Sequence, residues 1–126
     1  MKQEFDWKNK TILIVEDDKF IAFIIEGFLK GTGANLIFAS TGEKAIEMAL
    51  AFSPNLILMD IKLPGINGLE TTRIIKKTLP DTIILAQTAY ASDADKQLAF
   101  DSGCSDFLAK PILREKLLNK IESFLF

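Results

Sequence analysis

Glu16, Asp17 and Asp18 stand together, Asp60 closes the apolar run "NLILM", Thr88 follows "IILAQ", and Lys110 precedes Pro111. Carboxylates, a hydroxyl and an ammonium are the groups that hold a hard cation and meet phosphoryl oxygens. Two carboxylates roughly 4 Å apart repel by about 4 kcal/mol at an effective dielectric near 20. Three of them against one ammonium leave a site about two charges negative, a sum that a divalent cation balances. Oxygen ligands without sulfur or imidazole suit magnesium or manganese, and magnesium needs only two carboxylates with or without a backbone carbonyl. A cation held by so few ligands keeps open positions for another oxygen-rich group. Phosphoryl is the candidate, with Lys110 and the Thr88 hydroxyl meeting its remaining oxygens. Asp60 would be the nucleophile and the product an acyl phosphate on its side chain.

Each of these residues alone has an ordinary reading as a turn residue, a helix cap, a loop hydroxyl or a surface charge. Their meaning depends on whether the fold brings them together. Five short apolar runs rich in β-branched residues, "TILIV" (11–15), "NLIFA" (35–39), "NLILM" (55–59), "TIILA" (82–86) and "SDFLA" (105–109), read as strands. Between them, helical patterns cover 18–30, 43–52, 68–78, 92–102 and 112–124. Asp18 and Ser92 read as N-caps, Glu43 falls in a first turn, and Gly31 and Gly103 are placed to end helices in the left-handed conformation. Leu113, Leu117, Ile121 and Phe124 recur at helical spacing and predict a core-facing stripe.

Strands that lack polar alternation are buried on both faces, which argues a parallel sheet covered by helices on each side. The expected architecture is therefore α/β and flavodoxin-like, a doubly wound (βα)5 fold with a five-stranded parallel sheet in the order 2-1-3-4-5. In such a sheet the residues just past strands one, three, four and five share one crevice. Glu16, Asp17, Asp60, Thr88 and Lys110 then converge, and Gln87 stands beside them.

Composition narrows the alternatives. The 126 residues fit one domain, 1–126, with residues 1–9 read as an N-terminal extension. Hydrophobic residues make up 48% and charged ones 25%, and 15 basic against 17 acidic residues leave a net charge of −2. No nucleic-acid-binding surface is advertised. No apolar signal region opens the chain and no run is long enough to span a membrane, so a cytoplasmic location is expected. Cys104 is the only cysteine and histidine is absent. Disulfides within the chain, cysteine-built zinc sites, catalytic triads and imidazole relays are excluded, and any histidine chemistry must come from a partner. Cys104 itself reads as a small buried apolar residue.

The segments "ILIVEDD", "LILMDIKLPGINGLE", "AQTAYA" and "FLAKPI" together resemble the receiver domain of two-component response regulators, over nearly the whole chain. They are similar to the chemotaxis receiver and to receivers of hybrid sensor histidine kinases. The resemblance implies that Asp60 accepts a phosphoryl group from a phosphohistidine on a sensor histidine kinase or a histidine phosphotransfer protein. It implies that Asp17 and Asp60 ligand Mg2+ directly with the backbone carbonyl of Lys62, that Glu16 acts mostly through a water, and that Lys110 contacts the phosphoryl group. Thr88 would swing towards that group, Phe107 would occupy the aromatic switch position without a hydroxyl, and the Lys110–Pro111 bond would be cis. Helix 4, strand 5 and helix 5 would form the output face, available for a homodimer.

Two positions beside the site, Lys62 and Tyr90, offer no carboxylate or amide to orient a hydrolytic water, so slow self-dephosphorylation is expected. In the first helix, "DKFIAFIIEGFLK", the residues Ile21, Ile24, Ile25 and Phe28 are expected to face the core, leaving Phe20 and Phe23 for a partner. A haloacid-dehalogenase-like phosphatase would read "DxDx[TV]" where this chain reads "DIKLP". A flavin carrier would place a Ser/Thr/Gly-rich loop where "EDDKF" would repel phosphate. A pseudo-receiver acting only as a binding module would not need the intact site residues. The chain reads as a phosphoacceptor rather than an enzyme with a separate substrate, promoting its own phosphorylation and dephosphorylation. It is either a stand-alone regulator or a domain of a hybrid kinase, and the resemblance of "FDWKNKTILIVEDD" and "AQTAYA" to receivers of hybrid sensor kinases favours the latter.

Overall fold

The computed structural model describes residues 5–89 and 92–126. Five parallel strands, β1 (Thr11–Val15), β2 (Asn35–Ala39), β3 (Leu56–Asp60), β4 (Ile83–Thr88) and β5 (Asp106–Ala109), lie in the order β2-β1-β3-β4-β5. They alternate with α1 (Lys19–Leu29), α2 (Gly42–Phe52), α3 (Gly68–Thr78), α4 (Asp93–Ser102) and α5 (Arg114–Leu125). The strand order and the alternation are those expected from the apolar runs.

Side chains alternate across the strands into two cores. On one face Leu13, Val15, Ile57, Met59 and Ile84 pack with Ala45 and Ala49 of α2, Ile75 of α3 and Ala99 of α4. On the other, Ile12, Ile14, Leu56, Leu58 and Leu85 pack with Ile25 and Leu29 of α1 and Leu117, Leu118 and Ile121 of α5. Cys104 is buried in the first core, as its type suggested.

The helix starts are fixed by short polar side chains. Asp18, Thr41, Asn67 and Ser92 each accept a hydrogen bond from a backbone N–H of the first turn, meeting donors that the helix itself leaves unpaired. Gly103 ends α4 at φ 110° as anticipated, whereas the left-handed residue after α1 is Gly33 at φ 83° rather than Gly31. The reason is a 3-10 turn, Lys30–Thr32, that carries the chain past Gly31 before it reverses.

Three further expectations are revised. Leu113 is exposed, because it is the extended N-cap of α5 and lies off the helical stripe that begins one residue later. Ile24 is 38% exposed, while Leu29 takes a core place with Ile25. Strand β4 begins one residue after the expected start and continues through Gln87 and Thr88, so Thr88 is the last strand residue rather than a residue of the following loop.

The segment ahead of β1 is packed. Trp7 is fully buried in the second core, its backbone N–H donates to Thr32 O at 2.7 Å, and its indole Nε1 donates to Glu122 of α5. Phe5 tilts against the indole with ring centroids 5.5 Å apart. Emptying such a site leaves a cavity as well as lost burial. Trp7→Ala is expected to lower unfolding stability by about 3 kcal/mol or more in urea titrations, with the fold retained by circular dichroism.

Candidate functional site

β1 and β3 are central strands buried on both faces, so the residues at their carboxyl ends are held with little freedom. Glu16 follows β1 and is pinned by its backbone N–H, which donates to Ala39 O at 3.0 Å. Asp17 is exposed beside it, and Asp18 turns away to cap α1, accepting from Phe20 N at 2.9 Å and Ile21 N at 3.2 Å. Asp60 is the last residue of β3 and only 3% exposed. One carboxylate oxygen from each of Glu16, Asp17 and Asp60 lies within 4.8 Å of the others.

Lys110 reaches into this group from the end of β5. Its Nζ donates to Asp60 Oδ1 at 3.0 Å and stands 3.8 Å from Glu16 Oε1. The same Asp60 Oδ1 accepts from the backbone N–H of Lys62 at 3.1 Å. Lys110 N donates to Thr88 O at 2.8 Å, which ties the ends of β4 and β5 together. The Lys110–Pro111 peptide bond is cis, as the resemblance implied.

The charges do not balance within the chain. Glu16 is 4% exposed, its Oε2 accepts from Asp18 N at 3.1 Å, and its Oε1 has no hydrogen-bond partner among the described residues. Burial, reinforced by the neighbouring Asp60 carboxylate, pushes the Glu16 carboxyl up to about 7, against the lowering pull of the Asp18 N–H and of Lys110. An orphaned buried carboxylate oxygen, facing two more carboxylates, is a donor set that fits a small hard dication.

Thr88 is half-buried and lines a small cavity of about 80 Å3 together with Ala86, Ala99 and Phe107. Phe107 sits half-buried on β5, one strand over from Thr88. Lys62 is exposed in the loop after β3. Tyr90 lies outside the described residues.

One residue that shapes the site, Gly68, was not singled out from sequence, and the burial of another, Gln87, was not anticipated. A Cβ on Gly68 would stand 2.2 Å from Asp60 O and 2.8 Å from Ile61 Cα. Only a glycine lets the start of α3 press this closely on the backbone that carries Asp60. The signal for it was Asn67 with Glu70 three residues on, a helix-start pattern that put a glycine in the first turn. Gln87, in register with Asp60 on β4, is fully buried with neither amide atom hydrogen-bonded among the described residues. Its amide stood out only as a polar group near a strand end.

Comparison with known proteins agrees with this geometry. Residues 12–122 match the response regulator receiver domain family. The polar-differentiation response regulator DivK of Brucella ovis is 32% identical over 119 residues, covering 93% of this chain and 97% of its own. The receiver domain of a sensor histidine kinase from Pseudomonas aeruginosa, crystallised with a magnesium ion coordinated in its active-site cleft, superposes with a TM-score of 0.85 at 30% identity, covering 92% of this chain and 97% of that one. The co-crystal structure of the Saccharomyces cerevisiae histidine phosphotransfer protein Ypd1 and the receiver domain of its downstream response regulator Ssk1 matches with a TM-score of 0.87 at 30% identity, covering 94% of this chain and 90% of that one.

A carboxyl held above its unfolded value favours the folded state while protonated. Its contribution is full below about pH 4.5 and is lost as pH rises through about 7. In chelator, unfolding stability should therefore fall between pH 5 and pH 8, and Glu16→Gln should flatten that slope. Added magnesium should restore more stability at pH 8 than at pH 6, read from urea midpoints in both conditions.

Proposed function

The chain belongs to the response regulator receiver domain family, and from that premise we propose that Asp60 is its phosphoacceptor, served by Mg2+, Lys110 and Thr88. The family's role is phosphoacceptor signalling in two-component systems, and neither a haloacid-dehalogenase-like phosphatase nor a binding-only pseudo-receiver is favoured. The observation that carries the assignment is the Asp60 carboxylate, nearly buried at the end of β3, within 4.8 Å of two further carboxylates and 3.0 Å from the Lys110 ammonium.

In the proposed reaction an Asp60 carboxylate oxygen attacks the phosphorus of a phosphohistidine. The P–O bond forms, the P–N bond breaks, and the imidazole leaves as its neutral form after taking a proton from solvent. A bound Mg2+ would supply charge neutralisation for the phosphoryl oxygens. Asp17 and Asp60 would hold it with the Lys62 carbonyl, and Glu16 would act through a water. Lys110 orients Asp60 before transfer through its 3.0 Å contact and can follow the charge onto the phosphoryl oxygens afterwards. The Thr88 hydroxyl, at the rim of the small cavity, is the donor that would move towards them. Hydrolysis of the acyl phosphate, also promoted by the domain itself, would be slow, because Lys62 offers no acceptor to orient the attacking water.

The phosphohistidine must lie outside these 126 residues, which contain no histidine. Phe20 and Phe23 on α1 are 71% and 70% exposed. Beside them Ile21, Ile24, Ile25, Pro111 and Ile112 line an apolar groove of about 390 Å3 that also reaches Lys110. Apolar surface of that extent next to the acceptor supports a docking face for the helices of a sensor kinase or phosphotransfer protein. Leu98 and Phe100 are exposed on α4 and Leu113 stands exposed ahead of α5, which supports output or homodimer contacts through α4, β5 and α5. A cytoplasmic setting without direct nucleic-acid contact completes the reading. Among the described residues no helix is long and apolar enough to cross a membrane.

Incubation with acetyl phosphate and Mg2+, followed by intact mass and peptide mapping, should place one phosphoryl adduct on Asp60, absent in Asp60→Asn. No adduct on wild type, or an undiminished one on the variant, contradicts the assignment. The adduct should be long-lived, and Lys62→Asn should shorten its lifetime several-fold; a large lengthening would contradict the role given to Lys62. Phe20→Ala with Phe23→Ala should slow phosphotransfer from the donor protein about fivefold or more while unfolding stability changes by about 0.5 kcal/mol or less.

A further inference from the structure

Strand order makes Lys110 cross a neighbouring strand to reach its partner. β4 lies between β5 and β3, so the Lys110 side chain, leaving the end of β5, passes over β4 before its Nζ meets Asp60 Oδ1 at 3.0 Å. The face it crosses follows from side-chain alternation. Leu58 of β3, Leu85 of β4 and Leu108 of β5 pack in the core covered by α1 and α5. Asp60, Gln87 and Lys110 each stand two residues further along and so share that face. Lys110 accordingly lines the groove beside Ile21 and Ile25 of α1. Gln87 is in register with Asp60 on one side and with Leu108 on the other. The β4 side chain that Lys110 passes is therefore Gln87.

Gln87 is fully buried, and neither its Nε2 nor its Oε1 has a hydrogen-bond partner among the described residues. An amide left in that condition costs free energy that an apolar side chain of the same size would not. Along its row of the sheet it has the Asp60 carboxylate on one side and, on the other, Leu108 with Lys110 beyond. The ammonium that crosses it has N–H groups to spare. Of three, Asp60 Oδ1 takes one, and Glu16 Oε1 at 3.8 Å is too distant for a hydrogen bond.

We propose that Gln87 is a positioning residue for Lys110, its amide oxygen accepting an N–H of that ammonium once a phosphoryl group stands on Asp60. This deepens the reading of Asp60 as acceptor and rests on it. Phosphorylation turns the Asp60 carboxylate into an acyl phosphate, and the negative charge moves out to the phosphoryl oxygens. The ammonium then loses the carboxylate that held it. An acceptor buried where its stem crosses β4 fixes its place, while its other N–H groups face the phosphoryl oxygens. Unpaired in the free domain and paired in the loaded one, the amide favours the loaded state by the difference between the two. An apolar side chain at position 87 would fill the same space and lose only that bias.

The experiment is a titration of the full chain with beryllofluoride, a phosphoryl mimic, in the presence of Mg2+. Urea unfolding of the free proteins and nitrogen NMR of the lysine ammoniums are measured in parallel. Gln87→Met should bind beryllofluoride about 3- to 10-fold more weakly than wild type, and Gln87→Leu, a second apolar replacement, should behave alike. Free of ligand, both variants should unfold at the same urea concentration as wild type or at a higher one, because an unpaired buried amide has been removed. The Lys110 Nζ resonance should differ between wild type and Gln87→Met in the loaded proteins much more than in the free ones. Equal or tighter binding by the variants overturns the role given to Gln87 and leaves the acceptor assignment standing. So does weaker binding accompanied by lost stability of the free protein, the mark of a merely structural amide, or by an unmoved Lys110 resonance. Failure of wild type to bind beryllofluoride overturns the acceptor assignment itself, and the role of Gln87 falls with it.

Discussion

Like charges held out of water at the carboxyl end of a parallel sheet are the constraint around which this chain is organised. Glu16 and Asp60 are almost wholly buried and Asp17 adjoins them, with one ammonium to answer three carboxylates. Left alone, such a cluster costs free energy, because desolvation penalises each charge and mutual repulsion adds to it. The imbalance is visible in Glu16, whose proton is retained towards neutrality. Apolar strands buried on both faces supply the rigidity that keeps the carboxylates from separating. The close seat of α3 on the Asp60 carbonyl, possible only at Gly68, closes the site from beneath.

The same geometry connects the site to distant surface. Lys110 is bound to Asp60 through its side chain and to Thr88 through its backbone. Thr88 in turn shares a cavity with Phe107, which touches both α4 and α5 through lysines and Phe100. A change of charge on Asp60 therefore has a short path of contacts to the α4–β5–α5 face. On the opposite flank, the apolar groove of α1 also reaches Lys110, so the surfaces proposed for donor and output approach Asp60 from different sides.

Much of this was legible in the residues. The strands are continuous apolar runs because both of their faces are covered, and that alone fixes a parallel sheet and the location of its functional end. Asp60 was conspicuous because a carboxylate closing such a run has no packing reason to be there. The rest is set by tertiary contact or by local turns and caps that break the spacing. Gly68 looks like any glycine in a first turn until the Asp60 carbonyl is found where its Cβ would be. Gly31 reads as the end of the first helix in sequence because the 3-10 turn that carries the chain on to Gly33 leaves no periodic trace. Leu113 fits the spacing of the last helix but belongs to its cap, where spacing no longer describes direction. Lys96, Phe107 and Lys120 come from three separate stretches of sequence, and no local pattern brings them together.

A crystal structure of the chain grown with Mg2+ and beryllofluoride would test the central claim most directly. The account predicts a cation ligated by the carboxylates of Asp17 and Asp60 and the carbonyl of Lys62, and beryllofluoride attached to Asp60 with Lys110 and Thr88 on its fluorines. A cation bound away from the Glu16, Asp17 and Asp60 cluster, or beryllofluoride attached to any other side chain, would contradict it.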